Sequence, residues 1–126
     1  MTQILFAGRD IASLPAFKRA IEESGGQVTC LVSGRQVIDA VSERNFDLLI
    51  AEESLGDMSG INLIEAVVTR QPMLNCAVVS SLSPDDYHEA SEGLGILMQL
   101  PAEPGREEAE ALMNHLKKIQ SFKVGS

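Results

Sequence analysis

The sequence predicts a single α/β domain, a doubly wound five-stranded parallel sheet covered by five helices. Two observations predict this fold class. Short apolar runs recur along the chain, and each run ends at a cluster of turn-forming residues. Longer segments with apolar residues at helical spacing lie between these runs. Because there is no repeat or linker, we expect one domain over residues 1–126, with an ordered core at about residues 2–121.

The strand candidates are short runs of mostly apolar residues. The central candidate, residues 46–51, is apolar over Leu48, Leu49 and Ile50 without alternation, which is typical of a strand buried inside a parallel sheet. The other four candidates are residues 4–7, 28–32, 77–79 and 96–98. Two cysteines lie in these apolar segments, Cys30 inside residues 28–32 and Cys76 directly before residues 77–79, where a free thiol behaves as a small hydrophobic group.

The first helix candidate follows the first strand. Its apolar face consists of Leu14, Phe17, Ala20 and Ile21. We expect Ser13 to cap its start and Pro15 to lie in its first turn. Gly25 and Gly26 are expected to supply the left-handed conformation that ends it.

Four further helix candidates follow the remaining strands. The second opens at Ser33-Gly34, and the third covers residues 60–70. The fourth is the weakest, and Ser83 is expected to cap its start. The fifth has acids in its first turns and lysines near its end, as the helix dipole favours. Its buried stripe is expected to contain Ala109, Leu112, Met113, Leu116 and Ile119, with Met113 in the core.

Charge and composition exclude several classes of protein. The net charge of −8 argues against a nucleic-acid-binding surface, which is usually basic. A hydrophobic content of 44% and a charged content of 22% are ordinary for a soluble globular domain. No apolar run approaches the length of a membrane span, and no signal-peptide pattern is present. Because both thiols lie in apolar runs, we expect a reduced, cytoplasmic protein.

A carboxylate stands where the central strand ends. Glu52 follows the apolar run directly, and turn-forming residues over 54–60 then lead into the third helix. In open α/β sheets, ligand sites form at the carboxyl ends of the strands. Glu52 is therefore the first candidate site residue.

Three short motifs resemble the receiver domains of bacterial response regulators. Residues 46–51, followed by Leu-Gly-Asp-Met-Ser-Gly at 55–60, are similar to the family's third strand, phosphoacceptor loop and the Met-x-Gly that opens its third helix. Ser80-Ser81 resembles the hydroxyl position after the fourth strand, and Leu100-Pro101 resembles the Lys-Pro after the fifth, where the family has a cis peptide. The resemblance covers residues 3 to about 119 and implies a flavodoxin-like fold with strand order 2-1-3-4-5.

The resemblance also implies which positions carry the family's chemistry. Two acids bind a divalent metal, an Asp accepts the phosphoryl group, and a hydroxyl and a Lys bind its oxygens. In this sequence those positions hold Gly8 and Arg9 for the acidic pair, Glu52 for the acceptor, Ser80 for the hydroxyl and Leu100, followed by Pro101, for the Lys. Asp10 keeps the acid that often follows the pair, but alone it is a poor metal site. We therefore expect no catalytic residue, no metal and no cofactor, and no tight binding of Mg²⁺.

Arg9 and Glu52 allow two interpretations. A guanidinium at position 9 would repel Mg²⁺ and could pair with Glu52, whose carboxylate would then imitate part of the charge of a phosphorylated Asp. Alternatively, both residues are solvated remnants of a site that has lost its function. The sequence leaves both interpretations open.

Other polar residues have simpler expected roles. Asp57 is expected to form a turn rather than to replace the phosphoacceptor. Ser80 and Ser81 are expected to satisfy backbone groups at the strand end. Solvated positions are expected for Glu53, His88 and His115.

Three apolar residues in and directly after the fifth strand candidate also allow two interpretations. Leu97, Met98 and Leu100 could extend an apolar patch beside the fourth helix, where receivers bind partners. We expect instead that at least two of them are buried in the core.

The resemblance predicts a degenerate receiver, or pseudo-receiver, that signals by protein contact without phosphorylation and is not an enzyme. Its expected partner is another signalling protein of a two-component pathway, such as a histidine kinase, a regulator or an output domain, bound at the face of the fourth helix, fifth strand and fifth helix. A homodimer is compatible with this prediction; nucleic acid and membrane are not expected partners. One alternative is a receiver that accepts phosphate on Glu52 or another acid. Another is an unrelated flavodoxin-like ligand-binding domain, disfavoured because no Gly-rich phosphate loop follows the first strand, where Gly8 stands alone.

Overall fold

The computed structural model describes residues 2–91 and 93–125, apart from the side chains of Pro84, Ala90, Ser91 and residues 121–125. Strands and helices alternate along the chain. The strands are β1 (Thr2–Ala7), β2 (Gly26–Leu31), β3 (Leu48–Glu52), β4 (Asn75–Val79) and β5 (Met98–Leu100). The helices are α1 (Pro15–Glu23), α2 (Gly34–Glu43), α3 (Gly60–Arg70), α4 (Pro84–Ser91) and α5 (Arg106–Gly125). Among the described residues, no helix has the length and apolar character needed to cross a membrane.

The five strands form one parallel sheet in the order β2-β1-β3-β4-β5, which confirms the predicted fold class. In the register of β1 and β3, Ala7 lies beside Ala51. The residues that follow these two strands therefore emerge side by side at the carboxyl edge of the sheet. This is the position where the order of connections reverses and a crevice forms in doubly wound folds.

Both faces of the sheet are covered by helices. Alternate strand residues such as Phe6 and Ile50 pack with α1 and α5, and their neighbours in the strands, such as Leu5 and Leu49, pack with α2 and α3. Because all these positions are fully buried, β1 and β3 read as uninterrupted apolar runs in the sequence. The expected core position of Met113 is confirmed, with 1% of the residue exposed.

All five strands differ from their predicted bounds, and the fifth and second strands show the reason. The fifth strand is Met98–Leu100 rather than residues 96–98, because Leu100 is the residue that pairs with Val79 and is buried. The second strand ends at Leu31, and Val32 is 67% exposed, with its N–H bound by the Gln36 side chain at 3.1 Å. In both cases apolar character alone placed the boundary wrongly, because pairing with the neighbouring strand decides it.

The predicted cap of the first helix is wrong. Ser13 belongs to a separate 3₁₀ turn, Ile11–Ser13, and donates its hydroxyl to the Asp10 carbonyl at 2.7 Å. Asp10 caps this turn by accepting the Ala12 N–H at 2.9 Å, and α1 begins at Pro15 without a side-chain cap. By contrast, the cap predicted for the fourth helix is confirmed, since the Ser83 hydroxyl accepts the Asp86 N–H at 3.2 Å.

Candidate functional site

The candidate site lies at the carboxyl edge of the sheet, where β1 and β3 end. Arg9 follows β1 by two residues, and Glu52 is the last residue of β3. The Arg9 backbone N–H donates to Glu52 Oε2 at 3.2 Å, and Arg9 Nε pairs with Glu52 Oε1. The Glu52 side chain is only 14% exposed, and the Arg9 side chain is 33% exposed. Of the two interpretations of these residues, the structure shows the ion pair.

Gly8 makes room for the Glu52 carboxylate. A Cβ at position 8 would lie 2.6 Å from both Cγ and Oε2 of Glu52. The backbone at Gly8 also has a φ of +132°, which side-chain-bearing residues rarely adopt. A side chain at position 8 and Glu52 in its observed place therefore exclude each other.

The Arg9 guanidinium also reaches the loop between β5 and α5. Its Nη1 donates to Glu103 Oε1 at 2.8 Å, and its Nη2 donates to the Ala102 carbonyl at 2.8 Å. The bonds to Glu103 and Glu52 raise the pKa of Arg9 above its ordinary value, with Glu103 the larger cause. Sequence reasoning missed both loop contacts, since nothing in the sequence indicates how far the loop folds back.

The hydroxyl positions after β4 are occupied by local hydrogen bonds. Ser80 is 5% exposed, and its Oγ accepts the Leu82 N–H at 3.1 Å, while its own N–H donates to the Leu100 carbonyl at 2.9 Å. Ser81 Oγ donates to Glu53 Oε2 at 3.2 Å. Ser80 thus satisfies a backbone group at the strand end as expected, but the expectation is wrong for the Ser81 hydroxyl, which binds the side chain of exposed Glu53 instead.

Leu100 is fully buried in the core beside α1 and α5, so the position that the family resemblance assigns to a Lys contributes no charge. The expectation of a cis peptide before Pro101 is wrong, since none of the described residues has a cis bond. The trans form is the favoured one for X–Pro bonds, by about 0.5–1 kcal/mol.

Residues 97 and 98, directly before β5 and at its start, are only partly buried. Leu97 and Met98 pack against the core that contains Leu100 but stay half-exposed. The expectation that at least two of the three are buried is therefore wrong, because β5 lies at the edge of the sheet. The two histidines, His88 and His115, are exposed as expected.

Asp57 has a role that sequence reasoning missed. Its two carboxylate oxygens accept the backbone N–H groups of Gly34 and Arg35 at 3.0 and 3.1 Å. These bonds, that of Gly34 first, lower the pKa of Asp57 below its ordinary value. Asp57 therefore caps α2 from a distant loop, and its position in a turn was the only part that the sequence indicated.

The start of α3 lies directly against the end of β3. A Cβ on Gly60 would come within 2.1 Å of the Glu52 carbonyl oxygen, so only glycine fits the Met-x-Gly motif here. The Ser59 hydroxyl caps the same helix by accepting the Asn62 N–H at 3.1 Å. The motif thus holds the backbone of Glu52 in place.

A small cleft of about 180 Å³ opens beside the ion pair. It is lined by Arg9, Glu52, Glu53, Ser54, Val79, Ser80, Ser81 and Ala102. Small-molecule sites usually have volumes of about 300–1,000 Å³, so the cleft is small for a cofactor. A larger cavity of about 540 Å³ lies away from this edge, where the chain enters β3 and β4. Within residues 2–91 and 93–125, no three His, Cys, Asp or Glu side chains are grouped to hold a metal ion.

Comparisons with known proteins agree with this architecture. Residues 5–114 match the response regulator receiver domain. The chain is 28% identical over 97 residues to the DNA-binding transcriptional regulator NtrC of Klebsiella pneumoniae, covering 77% of this chain and 21% of that protein. The chain therefore spans about a fifth of the length of this curated relative.

Two solved structures share the fold at low sequence identity. One is the signal receiver domain of a putative LuxO repressor protein from Vibrio parahaemolyticus, with a TM-score of 0.84, 14% identity and coverage of 99% of this chain and 97% of that one. The other is the chemotaxis response regulator CheY4 of Vibrio cholerae, with a TM-score of 0.79, 14% identity and coverage of 92% and 98%.

Proposed function

Because this chain belongs to the response regulator receiver domain family, we propose that it is an atypical member that signals through protein contact without being phosphorylated. In this proposal the domain is not an enzyme and needs neither Mg²⁺ nor another cofactor. The observation that carries the proposal is the ion pair of Arg9 with Glu52.

The ion pair opposes phosphoryl transfer in two ways. Both oxygens of Glu52, the residue at the acceptor position, already accept bonds from Arg9. An oxygen that attacks phosphorus must be free to approach it, and the charge that develops must be neutralised by fixed cations or a metal. Arg9 supplies one fixed charge but stands where the family resemblance places a metal ligand, and a cation there repels Mg²⁺.

The fit of the substituted positions favours a site built for this arrangement over random loss. The absence of a side chain at Gly8 leaves the space that Glu52 fills. Arg9 then extends to the loop after β5, near the position whose Lys is replaced by the buried Leu100. Independent losses would not be expected to leave groups that fit one another at van der Waals and hydrogen-bond distances.

The proposed partner is another signalling protein of the cytoplasm. NtrC is named a DNA-binding transcriptional regulator, so an output domain, in the same chain or another, is one candidate; a histidine kinase, a further regulator or a second copy are others. Leu97, directly before the edge strand β5, and Met98, its first residue, are half-exposed and offer apolar surface for such a contact where they pack against the core that includes α5.

Incubation with acetyl phosphate and Mg²⁺ tests the proposal. The intact mass of the protein should stay unchanged, and a receiver domain that has the acidic pair and the acceptor Asp, treated in parallel, should gain one phosphoryl group. The same Mg²⁺ should leave the thermal midpoint of this protein unchanged, since a ligand stabilises only by binding the native state.

Two results would contradict the proposal. One is a phosphoryl adduct that is lost at alkaline pH and maps to Glu52. The other is a saturable rise of the thermal midpoint with Mg²⁺ that disappears in Glu52→Gln. Either result would favour the alternative of a receiver that accepts phosphate on a substituted acid.

A further inference from the structure

The loop between β5 and α5 has little structure of its own to hold it. Residues 101–105 contain no regular element, and Pro101, Ala102 and Glu103 are all exposed. Two of the five residues are prolines, so the loop also has fewer N–H groups with which to bind the sheet. Apart from the buried Pro104, the position of this loop therefore depends on side chains that reach it.

Arg9 is the side chain that reaches it from the sheet. The two terminal nitrogens of its guanidinium bind two consecutive loop residues, Ala102 through its carbonyl and Glu103 through its carboxylate, both at 2.8 Å. The Nε atom meanwhile binds Glu52, which is only 14% exposed. The planar fork of Arg can serve three acceptors at once in this way, whereas a Lys offers a single charged point.

The three contacts differ in expected strength. The Glu103 side chain is 74% exposed, so its ion pair with Arg9 is screened by water and contributes little by itself. Glu52 is the anchor, because its carboxylate is mostly shielded from water and is packed against Gly8. The Ala102 carbonyl receives a charge-assisted bond, which is stronger than a bond between neutral groups.

The loop that Arg9 holds leads directly into α5. Pro104 is buried, and the Gly105 N–H donates to Glu108 Oε1 of the first helical turn at 2.7 Å. Whatever fixes Ala102 and Glu103 therefore limits where α5 can begin. The face of α5 is part of the surface proposed above for partner binding.

We infer that Arg9 is a positioning residue that closes the β5–α5 loop onto the carboxyl edge of the sheet without any ligand. This inference rests on the proposed function in one respect. In a receiver that switches, a bound group would be needed to close the loop; here Arg9 closes it, so the α5 surface has a single state. The geometry of the Arg9 contacts carries the closure itself. The domain then acts as a permanently closed interaction module.

Backbone relaxation of ¹⁵N-labelled protein tests this inference, because Ala102 and Glu103 are the two loop residues between prolines that carry an N–H. In the wild type, both amides should have order parameters near the rigid value of about 0.85, and in Arg9→Met both should fall below about 0.6. Glu103→Gln, which changes an exposed side chain and should not affect folding, should give a smaller decrease. Arg9→Lys should keep the fold but leave the loop mobile, since it lacks the fork.

The matched control is Arg106→Met, which removes an exposed Arg at the first residue of α5 while leaving Arg9 in place. Loop order parameters should stay at the wild-type level in this variant. Equal mobility in Arg106→Met and Arg9→Met, or unchanged order in Arg9→Met and Glu103→Gln, would overturn the inference. If the inference fails in this way but no phosphoryl adduct forms, the proposed function still stands. If instead the wild type has an ordered loop and forms an adduct, the proposed function is wrong, but the closure of the loop by Arg9 still stands.

Discussion

Two clusters in this molecule each contain an arginine that binds two glutamates, and in the second of them Arg19 also pairs with one glutamate, Glu23. Arg9 binds Glu52 and Glu103 at the carboxyl edge of the sheet, and Arg106 binds Glu23 of α1 and Glu110 of α5 on the helical surface. The side chain of Glu52 is 14% exposed, but that of Glu23 is 48% exposed. The difference between the clusters is therefore one of environment and not of residue type.

That difference decides what each cluster can do. Around Glu23, water solvates both charges, and salt screens them, so the pair costs little to break. Around Glu52, the side chain is only 14% exposed and packs against Gly8, so breaking the pair would leave a poorly solvated carboxylate. Only the cluster at the sheet edge is expected to influence the conformation of the chain around it.

The largest expected effect comes from filling the space beside each cluster with a methyl group. Gly8→Ala should lower the free energy of unfolding on the order of 3 kcal/mol, because a strained φ and the contact with Glu52 each cost about 1–3 kcal/mol. Gly105→Ala, next to Arg106, should be close to neutral, since its nearest contact would be at 3.5 Å. Urea unfolding measures both changes.

A further control separates the two costs of Gly8→Ala. Gly25 has a φ of +92° and no atom within 4 Å of the place that a methyl group would take, so Gly25→Ala reports the backbone cost alone. Gly8→Ala should cost less in a Glu52→Ala background than in the wild type. Equal costs in both backgrounds would mean that Glu52 is free to move away, and the comparison between the clusters would fail.

The next effect concerns the coupling energy within each arginine pair. A double-mutant cycle of Arg9→Met and Glu52→Gln should give a coupling of about 1 kcal/mol or more, since the two side chains share a partly shielded contact. The matched cycle of Arg106→Met and Glu23→Gln should give a clearly smaller coupling, because both side chains are half-exposed.

Salt sharpens this result. At about 1 M NaCl the Debye length is about 3 Å, so the coupling of the exposed pair should vanish while most of the Arg9–Glu52 coupling persists. Additive, salt-insensitive effects at Arg9 and Glu52 would show that the two residues are solvated neighbours. The ion pair would then no longer support the proposed function.

The smallest expected effect is on how steeply the free energy of unfolding decreases at acid pH. Bonding to Arg106 lowers the pKa of Glu23 from its ordinary value of 4.5, so its charged form stabilises the fold above that pH, and this contribution is lost as the pH falls through the lowered pKa. In Arg106→Met the pKa of Glu23 should return toward 4.5, and stability should fall less steeply below that pH. Urea unfolding between about pH 3 and pH 6 measures the two slopes.

The pKa of Asp57 provides the reference for this measurement. Its pKa is also lowered, by the Gly34 and Arg35 N–H groups, so part of the acid slope should persist in Arg106→Met and should decrease in Asp57→Asn. If the free energy of unfolding decreases with the same slope at acid pH in Arg106→Met and in the wild type, the exposed cluster contributes nothing to the pH dependence of stability.

The sequence by itself determined the fold class, the ten regular elements and the edge where the site lies. These features depend on local signals: apolar runs, helical periodicity and capping residues such as Ser83 act over a few neighbours. The proximity of Arg9 and Glu52 also follows from the sequence, because the carboxyl ends of neighbouring parallel strands share one edge of the sheet. The sequence indicated that the two residues are within reach but not whether they bind.

Only the tertiary structure decided which groups complete the site. Glu103 is 94 residues from Arg9, and Asp57 is 22 residues from the Arg35 N–H it caps, so neither contact has a local signal. Whether Gly8 leaves space for Glu52, and whether Leu100 faces the core, depend on the register of strands and the path of loops. Contacts of this kind arise from packing across the whole sheet, whereas composition and periodicity report only on residues close together in the chain.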